Sequence, residues 1–255
     1  MPKLITCFKW VVDEADLRVD PGSRKLVFDR VGYKISDYDR NTIEEAVRLK
    51  EQHGGTVTAI TVGTPNAKKS LKDVLSRGPD TACFVNDQGF GDLEPSQTAA
   101  ILAEVIASRL EYDLIICGEG SSDLYAQQVG PRLAEKLGIS CVTYANQVSL
   151  VDGRLVAERK LDDGVEVVAA KLPALVTVLP DINSPRIPGL KQTLEAGKKP
   201  VMEVTAKDLT GEYPARLETV ERKAAVIERG GVKLGADKAE LKKLVGLLQK
   251  DGVIS

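Results

Sequence analysis

A chain of 255 residues is long enough for one large α/β domain with an appendage, or for two small domains. Hydrophobic residues make up 43% and charged residues 28%, the balance of a folding chain rather than a disordered one. With 35 Lys plus Arg against 37 Asp plus Glu the formal charge is -2, which argues against a global field for nucleic acid or an anionic membrane.

From the N-terminus, apolar runs alternate with helical patterns, the signature of βαβ units and a parallel sheet. Met1 to Val12 has neither an apolar signal core nor a small-residue cleavage site, so a cytoplasmic location is expected. Leu4 to Val12 reads as the first strand. Asp39 to Gln52 puts Ile43, Ala46, Val47 and Leu49 on one helix face, and Gly54-Gly55 stops that helix before a strand at Thr56 to Val62. The repeat continues with a helix at Lys68 to Ser76, a strand at Thr81 to Asn86 and a long helix at Pro95 to Leu110. A buried strand at Asp113 to Cys117, a helix at Leu124 to Leu137 and a strand at Ser140 to Tyr144 follow. Strands at Gln147 to Leu150, Arg154 to Lys160, Val165 to Ala170 and Ala174 to Leu179 then run through Asp-Gly turns at Asp152-Gly153 and Asp163-Gly164, so an antiparallel flap is expected. From Asn183 onward, prolines and glycines predict a long exposed loop. Beyond Lys198 the chain is rich in charge and has one aromatic residue, Tyr213, too little for a separate core before a helix at Lys238 to Gln249. No apolar stretch approaches the ~20 residues that span a bilayer. The predicted fold is α/β: a doubly wound, mostly parallel, Rossmann-like sheet with an antiparallel flap and a C-terminal extension.

The sharpest motif is Gly118-Glu119-Gly120-Ser121-Ser122-Asp123, which follows the buried strand and leads into the helix carrying Gln127, Gln128, Gly130 and Pro131. Glycines at a strand's carboxyl end let backbone amides approach an anion, and the positive end of the next helix favours phosphate. The turn is similar to GxGxxG without its third glycine, and a tight turn capped by Asp123 is the competing reading. In a doubly wound fold Cys7 to Lys9 and Ser36-Asp37-Tyr38-Asp39 converge on the same edge, although helix capping also accounts for the latter. Tyr38 and Tyr125 either flank an aromatic ring or pack as core. His53, the only histidine, stands at a polar helix end, which argues against a Ser-His-Asp or Cys-His device. Cys7, Cys83, Cys117 and Cys141 are scattered without a CxxC, which argues against disulfides, zinc and iron-sulfur ligation. Redox chemistry would then need a bound organic cofactor.

Three segments, Cys7-Phe8-Lys9, Tyr38-Asp39 with Glu44-Glu45-Ala46 on the following helix, and Asp123 to Gly130, match one known pattern together with a more specific run. That run is Val156 to Glu166 (VAERKLDDGVE), followed by Leu172 to Thr177 (LPALVT). On these residues the chain resembles the beta subunit of electron-transfer flavoproteins over essentially its whole length. Gly120 to Gly130 is especially similar to the subgroup associated with nitrogen fixation and carnitine metabolism. The resemblance implies a nucleotide held by Cys7, Phe8, Lys9, Asp37, Tyr38, Asp39, Val62, Gly118, Gly120, Asp123, Leu124, Tyr125, Ala126, Gln127, Gln128, Val129, Gly130 and Pro131. It implies a heterodimer in which an alpha subunit carries the electron-transferring FAD. In this subunit housekeeping members hold AMP, whereas electron-bifurcating members hold a second FAD beside which NADH delivers a hydride. The acid at Asp39 and Gln128-Val129-Gly130-Pro131 favour FAD; AMP stays open. Any oxidation of NAD(H) would require the complex with the alpha subunit. Pro185, Arg186 and Leu190 fall in a stretch similar to the family's recognition loop, whose leucine anchors in an acyl-CoA or related dehydrogenase; a leucine folded back onto its own domain is the alternative. The implied division is 1–182 for the nucleotide-binding domain with its flap, 183–197 for the recognition loop and 198–255 for an arm on the alpha subunit. The rivals are a nucleotide-binding module without redox function and a free-standing dehydrogenase, the latter disfavoured because no acid-base residue is evident.

Overall fold

The computed structural model describes residues 1–225 and 231–254. Its strands are β1 (Lys3–Cys7), β2 (Trp10–Val12), β3 (Arg18–Val19), β4 (Leu26–Val27), β5 (Tyr33–Ile35), β6 (Thr56–Gly63), β7 (Thr81–Asn86), β8 (Leu114–Gly118), β9 (Ser140–Val151), β10 (Arg154–Leu161), β11 (Gly164–Lys171), β12 (Ala174–Val178) and β13 (Val201–Thr205). The helices are α1 (Asp37–His53), α2 (Ser70–Ser76), α3 (Pro95–Arg109), α4 (Val129–Leu137), α5 (Leu190–Ala196) and α6 (Lys238–Lys250).

Nine strands form one sheet in the order β11-β10-β9-β12-β8-β1-β6-β7-β13. The central strands read as uninterrupted apolar runs because both of their faces are covered. On one face Ile5, Ile60, Ile115 and Leu175 meet Ile101, Leu102, Val105 and Ile106 of α3 and Leu133 of α4. On the other, Leu4, Leu114, Ile116 and Val176 meet Ala46 and Leu49 of α1, while Phe84 packs with Ile43, Val47, Leu71 and Val74. This is the expected doubly wound α/β arrangement, and it fixes where a site can lie. The chain leaves β1 for β6 and β7 on one side, then returns to lay β8 parallel to β1 on the other. The crevice at a switch of winding direction therefore opens at the carboxyl ends of β1 and β8.

Several expected elements are revised. The first strand stops at Cys7, because Lys9 leaves the sheet: its amide donates to the Asp39 carboxylate and its carbonyl accepts from Ser36 N. Trp10–Val12 then pairs antiparallel with β5. The helix expected from Lys68 is a 3-10 turn at Pro65–Lys69 followed by α2. The helix expected from Leu124 starts only at Val129, since Tyr125 and Gln127 adopt left-handed φ values of 45° and 56° that no helix contains. Ser140–Val151 is one strand, parallel to β12 in its first half and antiparallel to β10 in its second. The flap is thus β9 to β11. Ala174–Val178 belongs to the parallel sheet between β9 and β8, and its burial at every position is the reason. The exposed loop contains a short helix, α5, and Val201–Thr205 adds a parallel edge strand beside β7.

The chain forms two compact units, Met1–Arg18 with Val27–Val220, and Val19–Leu26 with Glu221–Ser255. The expected 198–255 segment is accordingly divided: β13 lies in the first unit and α6 in the second, and residues 226–230 and 255 fall outside the described residues. In the second unit Ala224 N donates to Arg24 O at 2.9 Å, and the Asp237 carboxylate caps α6 through Ala239 N and Glu240 N. Among the described residues no helix is long and apolar enough to cross a membrane.

Candidate functional site

Three segments meet at the carboxyl edge of β1 and β8. The turn after β8 approaches the start of α1 closely, and only glycine fits. A Cβ at Gly118 would lie 2.9 Å from Asp39 Oδ1 and 3.0 Å from Gly120 O, and one at Gly120 would lie 2.5 Å from the Tyr125 ring. The segments are joined by polar contacts as well. Ser122 N donates to Ser36 Oγ at 3.2 Å, and Asp39 Oδ2 accepts Lys9 N at 2.8 Å. Lys9 Nζ pairs with Asp123 Oδ2 at 2.6 Å. Asp123 also accepts from Ser121 Oγ and Leu124 N. Tyr38 and Tyr125 face each other with ring centroids 5.2 Å apart, and the Tyr125 hydroxyl donates to Glu119 Oε1 at 2.7 Å.

The two carboxylates are held in different states. Asp39 is 6% exposed, and burial, with Asp123 nearby adding repulsion, pushes its carboxyl up to about 7 against the favourable contacts from Lys9 and Ser36. Burial also acts to raise Asp123, but the Lys9 ammonium, Ser121 and the Leu124 amide outweigh it and keep that carboxyl below its ordinary value. Asp39 therefore keeps its proton to a much higher pH than Asp123 does. Hydrogen bonding to Glu119, then burial, pushes the Tyr125 hydroxyl up to about 12. Beneath the turn Cys7 and Cys117 are buried, and the hydrogen bond to Cys7 together with burial raises the Cys117 thiol above its ordinary value.

The remaining expected residues divide by what they can offer. Phe8 is buried in the core against α1, so only its backbone reaches the edge. Val62, near the end of β6, and Val129 pack partly buried against the α3 side of the core. Asp37 pairs with Lys34 and Arg40 at 2.9 Å each. Leu124 is exposed, as are Gln128 and Pro131, and Gln128 Oε1 accepts from Arg132. Ala126 and Gln127 are half-buried. Gly130 is buried because α4 presses on the sheet there: a Cβ would lie 2.5 Å from Thr177 Cγ2. It provides the close helix-sheet approach that the third glycine of GxGxxG gives, a glycine that the turn itself lacks. The amides of Leu124 and Tyr125 are occupied by the Asp123 carboxylate and Ser121 O. Beyond them the backbone runs on through Ala126 to Gln128. There Gln127 in a left-handed conformation precedes Gln128 in a right-handed one, an alternation that turns successive N–H groups into a concavity.

Ser36, Glu119 and Ser122 lie within the motifs but not among the nucleotide contacts that the resemblance implies. Ser36 precedes α1 in the manner of a cap, but its side chain makes no capping bond and instead reaches the turn after β8. Ser122 Oγ is buried without a partner, and its hydroxyl is a donor suited to an oxygen of a bound anion.

Away from this edge, Arg186 of the expected partner loop bonds to Glu44 and Glu51 of α1, and Pro185 beside it is half-buried. Leu190 opens α5 and is 78% exposed, with Ile187 at 92% and Leu194 at 62%. The leucine does not fold back onto its own domain.

A family model described as the electron transfer flavoprotein domain matches residues 25–209, more than half of the chain, and takes in Ser36 to Asp39, the turn from Gly118 and the loop to Leu190. The chain belongs to the electron transfer flavoprotein family.

Proposed function

We propose that this chain is the beta subunit of a heterodimeric electron-transfer flavoprotein, of the kind associated with nitrogen fixation and carnitine metabolism, acting in the cytoplasm. It shuttles electrons between dehydrogenases and other redox partners. The observation that carries this reading is the turn at the switch point, where Gly118 and Gly120 present no side chains and Ser122 Oγ is buried without a partner. These groups fit a nucleotide phosphate, with the backbone from Ala126 to Gly130 and the start of α4 supplying N–H groups. The Tyr38 and Tyr125 rings offer an aromatic ring one face to rest on. Lys9 keeps Asp123 paired, so that carboxylate does not oppose an anion unscreened.

FAD at this site would supply a second redox centre, as electron bifurcation from NADH requires. The acid at Asp39 and the QVGP run from Gln128 favour FAD over AMP. The heterodimer with its alpha subunit tests this directly: nucleotide released by heat and separated chromatographically should be two FAD per heterodimer. One FAD with one AMP would make the subunit a non-bifurcating carrier, and no nucleotide beyond one FAD would overturn the site.

Docking to an acyl-CoA or related dehydrogenase is the role of Leu190. An exposed leucine that enters a partner pocket contributes roughly 1.5–3 kcal/mol, so Leu190→Ala should weaken docking about tenfold or more. Flavin content and the melting temperature should stay the same. An unchanged docking constant would remove Leu190 from the interface.

A further inference from the structure

The loop that displays Leu190 is fastened to α1 by groups that the nucleotide site does not use. Glu44, in the second turn of α1, is 5% exposed, and its carboxylate accepts from Arg48 Nε at 2.8 Å. The same carboxylate accepts from Arg186 Nε at 2.7 Å, Nη2 at 3.2 Å and backbone N at 3.1 Å. Arg186 extends the grip to Glu51 at 2.7 and 3.1 Å, and Arg77 Nη1 donates to the Arg186 carbonyl at 3.3 Å. Just upstream, Asn41 Nδ2 donates to Pro180 O at 2.8 Å and Asn183 O at 2.7 Å. Asn183 Nδ2 donates back to Asn41 O at 3.0 Å and Glu45 Oε2 at 2.9 Å.

A carboxylate withdrawn from water is unfavourable unless it is fully hydrogen-bonded, so Glu44 depends on the contacts from Arg48 and Arg186. Burial acts to raise Glu44, but the contacts from Arg186 and Arg48 overcome it and hold the carboxyl below its ordinary value, so the grip is charged at neutral pH. What the network fixes is unusual. The residue next to Arg186 is Ile187, which is almost wholly exposed, and three residues later comes exposed Leu190. A bridge that served only stability would cover apolar surface; this one displays it.

We propose that Glu44 is the positioning residue of the docking loop: by holding the side chain and the backbone of Arg186 against α1, it sets residues 183–190 so that Ile187, Leu190 and Leu194 are presented together before a partner arrives. A loop ordered in advance loses less entropy on docking, which is how a small transient interface gains affinity. The inference rests on the docking reading of Leu190, and two measurements keep the two apart.

In the full heterodimer, hydrogen exchange of the 184–190 amides reads the clamp with no partner present. KM and kcat for electron transfer from a reduced acyl-CoA dehydrogenase read docking. Glu44→Gln should raise exchange at these amides about fivefold or more and raise KM several-fold, with kcat and nucleotide content unchanged. Arg186→Lys leaves Glu44 paired with Arg48 but cannot form the fork, so it should reproduce both changes in a chain whose core is untouched. Leu190→Ala should raise KM and leave exchange alone. Unchanged exchange in Glu44→Gln and Arg186→Lys would overturn the clamp whatever docking does. A loosened loop with KM unchanged would overturn its role in docking. Faster exchange in Glu44→Gln with KM unchanged in Leu190→Ala would instead overturn the docking reading itself.

Discussion

At the scale of single residues, Asp39 is the group whose chemistry the fold changes most. Its carboxyl ordinarily titrates near 3.8, and burial at the start of α1 moves it to about 7. The unfolded chain therefore releases this proton well before the folded one, so across pH ~4 to ~7 the folded state binds more protons and stability falls as pH rises. Each pH unit of that window is worth about 1.4 kcal/mol, a few kcal/mol in all for a fully buried group. Asp39→Asn retains an oxygen that can accept Lys9 N and removes the titration. In urea unfolding of the isolated chain, the variant should match the parent near pH 4 and exceed it at pH 8. Equal slopes against pH in the two proteins would show that Asp39 titrates normally. The sequence made Asp39 visible as a candidate but not the reason. An acid two residues into a helix reads as a capping residue, and only the topology brings the amide of Lys9, thirty positions away, onto its carboxylate. The Lys9 pair with Asp123 was hidden for the same cause.

At the scale of elements, the glycines around β8 and α4 serve two purposes that substitution can separate. Gly130 meets Thr177 of β12, so Gly130→Val drives a branched side chain into a packed helix-sheet contact. Overpacking of this kind costs about 1–3 kcal/mol, and the melting temperature should fall by several degrees. Nucleotide loss in that variant would report packing rather than contact. Gly118→Ala places one methyl against Asp39, Tyr38 and Gly120 O inside the turn. It should abolish nucleotide retention while the melting temperature falls by an amount set by how far the turn can give, and full retention would detach the turn from the site. Legibility differed among elements for physical reasons. α3 and β7 could be read to within a residue because their patterns are uniform and their ends are marked by Pro95 and by polar residues. The start of α4 could not, since nothing in Leu124 to Gln128 announces left-handed backbone at Tyr125 and Gln127. β12 was misplaced in the flap because chain order suggests a meander, whereas a strand buried at every position belongs inside a parallel sheet. β13 was missed because Val201 and Met202 stay exposed at the sheet edge, with only Val204 buried.

At the scale of the whole molecule, family membership implies a heterodimer partner, and we propose that the second compact unit meets it. That unit is poor in large apolar residues, and the ones α6 has are placed along one side of the helix. Leu241, Leu244 and Val245 follow the i, i+3, i+4 spacing and are exposed in the isolated chain. The first unit, by contrast, contains all nine strands of the sheet and the three core clusters. A chain ending at Val220 keeps β13, whose pairing with β7 a cut at 198 would have destroyed. The shortened chain should therefore melt within about 2 °C of the parent, since 1 kcal/mol corresponds to roughly 2–4 °C at this size. Its affinity for the alpha subunit should fall at least about tenfold, the equivalent of about 1.4 kcal/mol. Titration of labelled alpha subunit with both chains measures the second quantity, and calorimetry of the chains alone measures the first. Unchanged affinity would place the heterodimer contact on the first unit, and a collapse in melting temperature would make residues 221–255 part of the fold rather than an arm.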